Sequence, residues 1–299
     1  MSEESIHAQA PWNQVPRTAS TGTVFPDDSG RNVTFAEHLA RYRFAVQFAK
    51  EMRVLDAACG SGYGTTLLAE EGARSVLGVD INDSAISYAK LRYGGRRGVT
   101  FVAAPLERLP DLCRDPVDLC VSFETIEHLR DPEQFLRDIR RVLSPGGKLL
   151  ISSPNRYVFA PTNFDGRHSP NQFHQVEWTT DEFVSLLSHY FSVAAVYGQV
   201  FMSAGEAKLV SWRNRLEGRF PKSSQTRMIY AIAGLRRHFP LALPYRGLRR
   251  FAFVGARFGT AHSEKGAQPS SSGSGERNQV RAYSSSEAPR YTICLCVKR

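Results

Sequence analysis

The sequence predicts an alternating α/β fold built on a mostly parallel sheet, and three observations carry that reading. Apolar runs that suit buried strands alternate with stretches of helical periodicity between Val54 and Ser153. The first run, Val54-Leu55-Asp56-Ala57-Ala58, passes through Cys59 into three alternate glycines, Gly60, Gly62 and Gly64, with Thr65-Thr66-Leu67-Leu68-Ala69 behind them. That order reads as buried strand, tight turn and helix start. A closing strand, Tyr291–Val297, alternates in polarity and stands apart behind a long basic and then Ser/Gly-rich stretch.

A chain of 299 residues is long enough to bury a full α/β core and still carry an insertion. Its five cysteines, at 59, 113, 120, 294 and 296, are odd in number and lie in or beside apolar runs, which suits reduced thiols in the cytoplasm. Cys294-x-Cys296 reads as two core-facing strand residues rather than a metal pair. No stretch near Met1 joins a basic flank, an apolar centre and a small-residue cleavage site, so no secretion signal is expected. No uncharged run is long enough to cross a bilayer.

Residues Met1 to about Thr23 carry Pro11, Pro16 and many small polar residues; with the turn Phe25–Gly30 they read as a flexible arm over 1–33. A helix starts at Thr34, with Phe35, Leu39, Tyr42, Val46 and Ala49 on one face and Arg41, Arg43 and Lys50 off it. Gly72 ends the helix behind the glycine turn, and Ser75–Asp80 is a second strand with an acid at its tip. Asn82 or Asp83 caps the next helix, which stops at Gly94-Gly95. The third strand, Val99–Ala103, leads into Ala104-Pro105-Leu106-Glu107. The fourth, Val117–Ser122, runs directly into Phe123-Glu124-Thr125-Ile126-Glu127-His128.

Asp131-Pro132-Glu133-Gln134 then opens a helix with an Asp cap and Pro in its first turn, its buried face carried by Phe135, Leu136, Ile139, Val142 and Leu143. Ser144-Pro145-Gly146-Gly147 ends it before a fifth strand, Lys148–Ser153. After a polar loop, Thr179-x-x-Glu182 is a capping box for a helix carrying Phe183, Leu186 and Leu187. The sixth strand runs from Val193 to about Phe201.

The last two strands would ordinarily pair as a hairpin, so an insertion of about 80 residues interrupts its loop. Its first part, 203–262, has apolar helical patches and sets twelve lysines and arginines against Glu206 and Glu217, which accounts for the net charge of +9. Its second part, 263–285, is Ser, Gly, Gln and Pro, the composition of a disordered linker. The main domain is therefore 34–202 plus 286–299.

The spacing of the turn is G-x-G-x-G, not the G-x-G-x-x-G of dinucleotide sites, and a glycine triplet alone also fits a loop without a ligand. The full stretch Asp56-x-x-Cys59-Gly60-x-Gly62-x-Gly64 resembles motif I of the class I S-adenosylmethionine-dependent methyltransferases. Later signposts of that family, including the Pro-Gly-Gly turn, follow in order over about two-thirds of the chain. The resemblance implies a Rossmann-like seven-stranded sheet with the basic insertion before the last strand, and S-adenosyl-L-methionine as cofactor. It implies cofactor contacts from Asp56, Ala57, Cys59, Gly60, Gly62, Asp80, Ile81, Ala104, Pro105, Leu106 and Phe123. Asp80 stands where a carboxylate accepts hydrogen bonds from both ribose hydroxyls. Ala104 departs from the acid or polar residue that the family usually sets against adenine. The helix from Thr34 lies over the cofactor in related enzymes, which brings His38, Arg41 or Tyr42 near the methionine end.

Glu124-x-x-Glu127-His128 lies at the carboxyl end of the fourth strand, where acceptors meet the cofactor in this fold. Two carboxylates and an imidazole on one face suit a divalent ion, magnesium in particular, while the plain alternative is a surface acid pair with a capping His. The same pattern is similar to that of ubiquinone-pathway O-methyltransferases and small-RNA ribose 2′-O-methyltransferases, where it is a metal site. His174-x-x-Glu177-Trp178-Thr179 looks like the stretch that gives the RNA enzymes a further His. The resemblance thus implies a metal site of Glu124, Glu127, His128 and His174, with Glu124, His128 and His174 as catalytic groups.

The expected function is methyl transfer to a hydroxyl of a small molecule or sugar, since the Ser-Phe-Glu-x-Ile-Glu-His pattern resembles tailoring enzymes of glycans and secondary metabolites. Two alternatives stay open on the strength of the basic insertion: an RNA ribose, and a lipid-linked acceptor at an anionic membrane surface. The location expected is cytoplasmic, with peripheral membrane contact under the last alternative.

Overall fold

The computed structural model describes residues 23–26, 33–159, 173–203, 279–283 and 287–299. Most of the arm, nearly all of the basic insertion and most of the linker lie outside the described residues. Eight strands among these form one sheet in the order β3-β2-β1-β4-β5-β8-β6-β7. They are β1 Arg53–Ala57, β2 Ser75–Asp80, β3 Val99–Ala103, β4 Val117–Phe123, β5 Leu143–Pro154, β6 Ser192–Ser203, β7 Val280–Ala282 and β8 Glu287–Val297. The first five are parallel, and β8 enters antiparallel between β5 and β6. The strand order reverses between β1 and β4, and a crevice at such a reversal is where open α/β sheets bind ligands.

The seven expected strands are present, and β7 is an addition. It pairs with β6 at Tyr197–Gln199 and so takes Val280–Ala282 out of the segment expected to be disordered. The Pro-Gly-Gly turn is absorbed into the start of β5, where the register to β4 shifts between Val117 and Leu119. Four of the five cysteines are buried and all five are free thiols; Cys294 and Cys296 face the core from β8.

Seven helices among the described residues flank the sheet: α1 Val33–Ala49, α2 Tyr63–Glu70, α3 Asp83–Tyr93, α4 Leu109–Leu112, α5 Pro132–Val142, α6 Arg156–Phe159 and α7 Thr180–Ser188. Their ends follow local chemistry. Asn82 accepts from the amides of Ser84 and Ala85 at the start of α3, Asp131 from Gln134 at the start of α5, and Thr179 and Glu182 close a reciprocal box on α7. Phe135, Leu136, Ile139 and Val142 of α5 meet Phe183 and Leu187 of α7 in one core, while Tyr42, Ala45 and Ala49 of α1 pack on β1 and β4 in another.

Helix α1 departs from the expected pattern. Arg41, off the apolar stripe, is fully buried, and Glu37 beside it is buried as well. Their partners come from the far end of the chain: Arg41 donates to Gln199 Oε1 at 2.5 Å and lies over the Tyr291 ring at 4.5 Å. The Tyr291 hydroxyl donates to Glu37 at 2.7 Å. This polar seam ties α1 to β6 and β8. No helix of the described residues is long and apolar enough to cross a membrane.

Candidate active site

The glycine turn joins β1 to α2. Ala58, Gly60 and Gly62 all have positive φ, at 67°, 55° and 81°. Gly62 is glycine for space as well, since a Cβ would lie 2.7 Å from the Cβ of Ala89. Gly64 is glycine because the Tyr42 ring fills the place of its Cβ, 2.1 Å away. That third glycine therefore serves helix packing and not ligand approach.

Most amides of the turn are already used. Those of Ala58 and Cys59 donate to the Val79 carbonyl, that of Gly62 to Cys59, and that of Gly60 to Asp80 Oδ2 at 2.8 Å. Asp80 also accepts from the Asn82 amide at 2.8 Å. Its carboxylate thus clasps the turn to the loop after β2, with a further bond from the Ile81 backbone. Ile81 beside it is 71% exposed, an apolar surface next to the carboxylate. Ala104 and Leu106 are half-buried and Pro105 is exposed, across the tip of β2.

Several expected cofactor residues turn inward. The Asp56 carboxylate is enclosed and accepts from the Thr65 hydroxyl at 2.6 Å and the Tyr42 hydroxyl at 3.0 Å. Burial, against the pull of those two bonds, pushes its pKa up to about 7. The Ala57 side chain is buried in the core, the Cys59 thiol sits in the cluster of Ile86, Tyr88 and Phe101, and the Phe123 ring packs edge-on against Tyr42. Such residues meet a ligand through backbone only. Tyr42 itself is committed to Asp56.

The second half of the site follows β4. Glu124 ends that strand at φ 53°, a left-handed conformation that costs a non-glycine residue about 1–2 kcal/mol. The Ser152 hydroxyl of β5 holds it there, accepting from the Glu124 amide at 3.1 Å and donating to Oε1 at 2.7 Å. The kink passes into a turn of 3₁₀ helix, Ile126–His128.

That turn carries Glu127 and His128 to His174, and the ligand atoms of these three lie within 4.8 Å of one another. Glu124, the fourth residue of the expected set, stands beside this group of three, held to β5 by its backbone kink and the Ser152 bonds. Glu127 is 0% exposed, and neither carboxylate oxygen has a hydrogen-bond partner among the described residues. Burial, with Glu124 nearby, pushes its pKa well above the carboxylate range.

Both imidazoles are pre-set. His128 Nδ1 donates to the Phe173 carbonyl at 2.9 Å and His174 Nδ1 to Glu177 Oε1 at 2.6 Å, which leaves Nε2 of each as the ligand atom. His128 Nε2 is 3.9 Å from Glu127 Oε1. The loop is fixed by the Gln175 amide, which donates to the Glu127 carbonyl at 2.7 Å. Glu177, at the motif position three after His174, is thus an orienting carboxylate. His168, in the polar loop before α7 and a spare candidate for the metal site by sequence, lies outside the described residues.

Arg41 of α1 carries the positive charge felt by Glu124 and Glu127. Its Nε and Nη2 have no hydrogen-bond partner among the described residues although the side chain is fully buried. Its charge opposes the upward shift that burial gives Glu124, and it adds to the downward shift that burial gives His38. Sequence reasoning missed the role of Ser152, which is a buried serine on a strand and has no motif around it.

The comparisons agree with this architecture. A family model described as a methyltransferase domain matches residues 55–151. A probable S-adenosylmethionine-dependent methyltransferase of Mycobacterium tuberculosis is 39% identical over 165 residues, 55% of this chain; the chain spans only 57% of that relative's length. One of Mycolicibacterium smegmatis is 38% identical over 188 residues, 62% of this chain and 69% of its own. A ubiquinone biosynthesis O-methyltransferase of Idiomarina loihiensis is 33% identical over 107 residues, 36% of this chain and 44% of its own. In fold, the crystal structure of an SAM-dependent methyltransferase from Thermotoga maritima superposes with a TM-score of 0.52, at 14% identity, over 92% of this chain and 97% of that one. With a glycine turn clasped by Asp80, a sheet of this order and a relative matched over more than two-thirds of its length, the chain belongs to the S-adenosylmethionine-dependent methyltransferases.

Proposed function

We propose that the chain methylates a hydroxyl of a small-molecule or sugar diol, with a divalent cation held by Glu127, His128 and His174. The observation that carries this reading is Glu127: a fully buried carboxylate without a hydrogen-bond partner among the described residues, beside two imidazoles whose Nδ1 atoms are already engaged. An unpaired buried charge is costly, and a cation is the partner that suits such a set. Two imidazoles and one carboxylate favour manganese, iron, cobalt or zinc over the magnesium that two carboxylates would favour. When bound, such an ion lowers the pKa of a coordinated hydroxyl. The similarity to a ubiquinone biosynthesis O-methyltransferase supports oxygen as the accepting atom.

The chain's own residues divide the remaining work. In this reading Asp80 takes the ribose hydroxyls, Ile81 and the Ala104–Leu106 backbone flank the adenine, and the buried Nε and Nη2 of Arg41 take the carboxylate of the methionine end. Glu124, locked by Ser152, receives the proton of the attacking hydroxyl. The sulfur–methyl bond breaks as the oxygen–methyl bond forms, and the electron pair of the broken bond stays on sulfur. Fixing the two reactants in line is the main contribution of the fold.

The test is methyl transfer from labelled S-adenosylmethionine to catechols and sugars, with and without chelator. Transfer that is lost on chelation and restored by manganese is expected. Full activity in chelator, or in Glu127→Ala and His174→Ala proteins, refutes the metal assignment.

A further inference from the structure

The residues Thr23–Pro26, expected to belong to a flexible arm, lie against the glycine turn. The Ser61 hydroxyl, inside the turn, donates to the Val24 carbonyl at 2.6 Å. Thr23 Oγ1 accepts from Asn82 Nδ2 at 3.2 Å, and its methyl would be the nearest neighbour, at 3.6 Å, of a Cβ on Gly60. Phe25 is buried beside Cys59, Ile86 and Phe101, with its ring edge-on to Tyr88 at 5.1 Å. The strap therefore grips the same two loops that Asp80 joins from beneath: the turn at Gly60–Ser61 and the α3 cap at Asn82.

A turn with two glycines and Ala58 at positive φ is costly to hold in one shape, because glycine surrenders more backbone freedom than any other residue on ordering. We propose that Thr23–Pro26 is a structural part of the cofactor site, a strap whose docking fixes the glycine turn against the ribose loop, with Phe25 and Ser61 as positioning residues. Strap docking and nucleoside binding are then thermodynamically coupled, so each strengthens the other by the same factor. This rests on the reading that the turn and Asp80 hold the nucleoside.

The experiment is calorimetry of the full chain with S-adenosylhomocysteine, for wild type, Phe25→Ala, Phe25→Leu and Ser61→Ala, with manganese titrated in parallel. Coupling of ordinary strength predicts at least about five-fold weaker nucleoside binding in Phe25→Ala and Ser61→Ala, recovery in Phe25→Leu, and unchanged manganese uptake. Hydrogen exchange over Thr23–Phe25 should slow when the nucleoside is added to wild type. Wild-type affinity in folded Phe25→Ala overturns the strap; should that protein not fold, wild-type affinity in Ser61→Ala does so. A parallel fall in manganese uptake also overturns it, because the damage is then general. No heat with wild type sinks the cofactor assignment itself, and the strap with it.

Discussion

Replacing Glu127 by methionine, the unbranched apolar side chain nearest to it in shape, should make the protein more stable without metal and less stable with it. Both carboxylate oxygens are buried and lack a hydrogen-bond partner among the described residues. Each such atom costs about 1–3 kcal/mol, so removing two yields at least ~2 kcal/mol. For a domain of this size that corresponds to a rise in Tm of roughly 4–8 °C in chelator. Manganese at a hundred times its Kd should then stabilise wild type by about 2.7 kcal/mol, or roughly 5–11 °C, and leave the variant unmoved. The two proteins therefore exchange rank between scans in chelator and scans in manganese. The reasoning fails if Glu127→Met melts below wild type in chelator, since the carboxylate would then have been satisfied. It fails equally if the variant keeps the wild-type response to manganese.

Two further outcomes follow from the same geometry. The Asp56 pKa, raised from 3.8 to about 7 by burial, is roughly three units above its unfolded value, worth about 4 kcal/mol. A raised folded pKa contributes stability that is present below about pH 4 and lost as the pH rises through 7, so wild type should lose about that much relative to Asp56→Asn between pH 4 and pH 8 in urea titrations; parallel profiles would clear Asp56. Glu124→Gly removes a left-handed strain of about 1–2 kcal/mol and adds about 0.5–1 kcal/mol of unfolded-chain freedom, so stability should hold or rise while methyl transfer falls by two orders of magnitude or more. A Tm well below wild type, or wild-type turnover, contradicts the assignment.

Much of this was legible in the residues because it is local. The caps at Asn82, Asp131 and Thr179 sit within three residues of their partners, and the turn of three glycines adjoins the strand that carries Asp56. Glu127, His128 and His174 all stand in motifs that the sequence displays, whereas the part of Glu177 behind His174 shows only in its bond to that ring. What was not legible depends on distant chain. Arg41 could be named as a neighbour of the cofactor by resemblance, but its burial shows only once Gln199, 158 positions on, and Tyr291 close over it. Strand β7 is three residues, Val-Arg-Ala, too short to show a period and recognisable only by its pairing with β6. Glu124 and Glu127 look equivalent in the motif, and only the left-handed backbone at Glu124, held by Ser152 28 residues on, separates them.

The fit of Tyr42 into the hollow at Gly64 has a bearing on where this chain can be cut. The family match begins at residue 55, yet the ring that occupies the hollow and the hydroxyl that shields Asp56 come from a helix upstream of it. A fragment trimmed to the match would open a void beside the second helix and strand a carboxylate in its core. The matched region is thus smaller than the region this packing holds together, and expression of the shorter piece should give aggregate where the longer one gives folded protein.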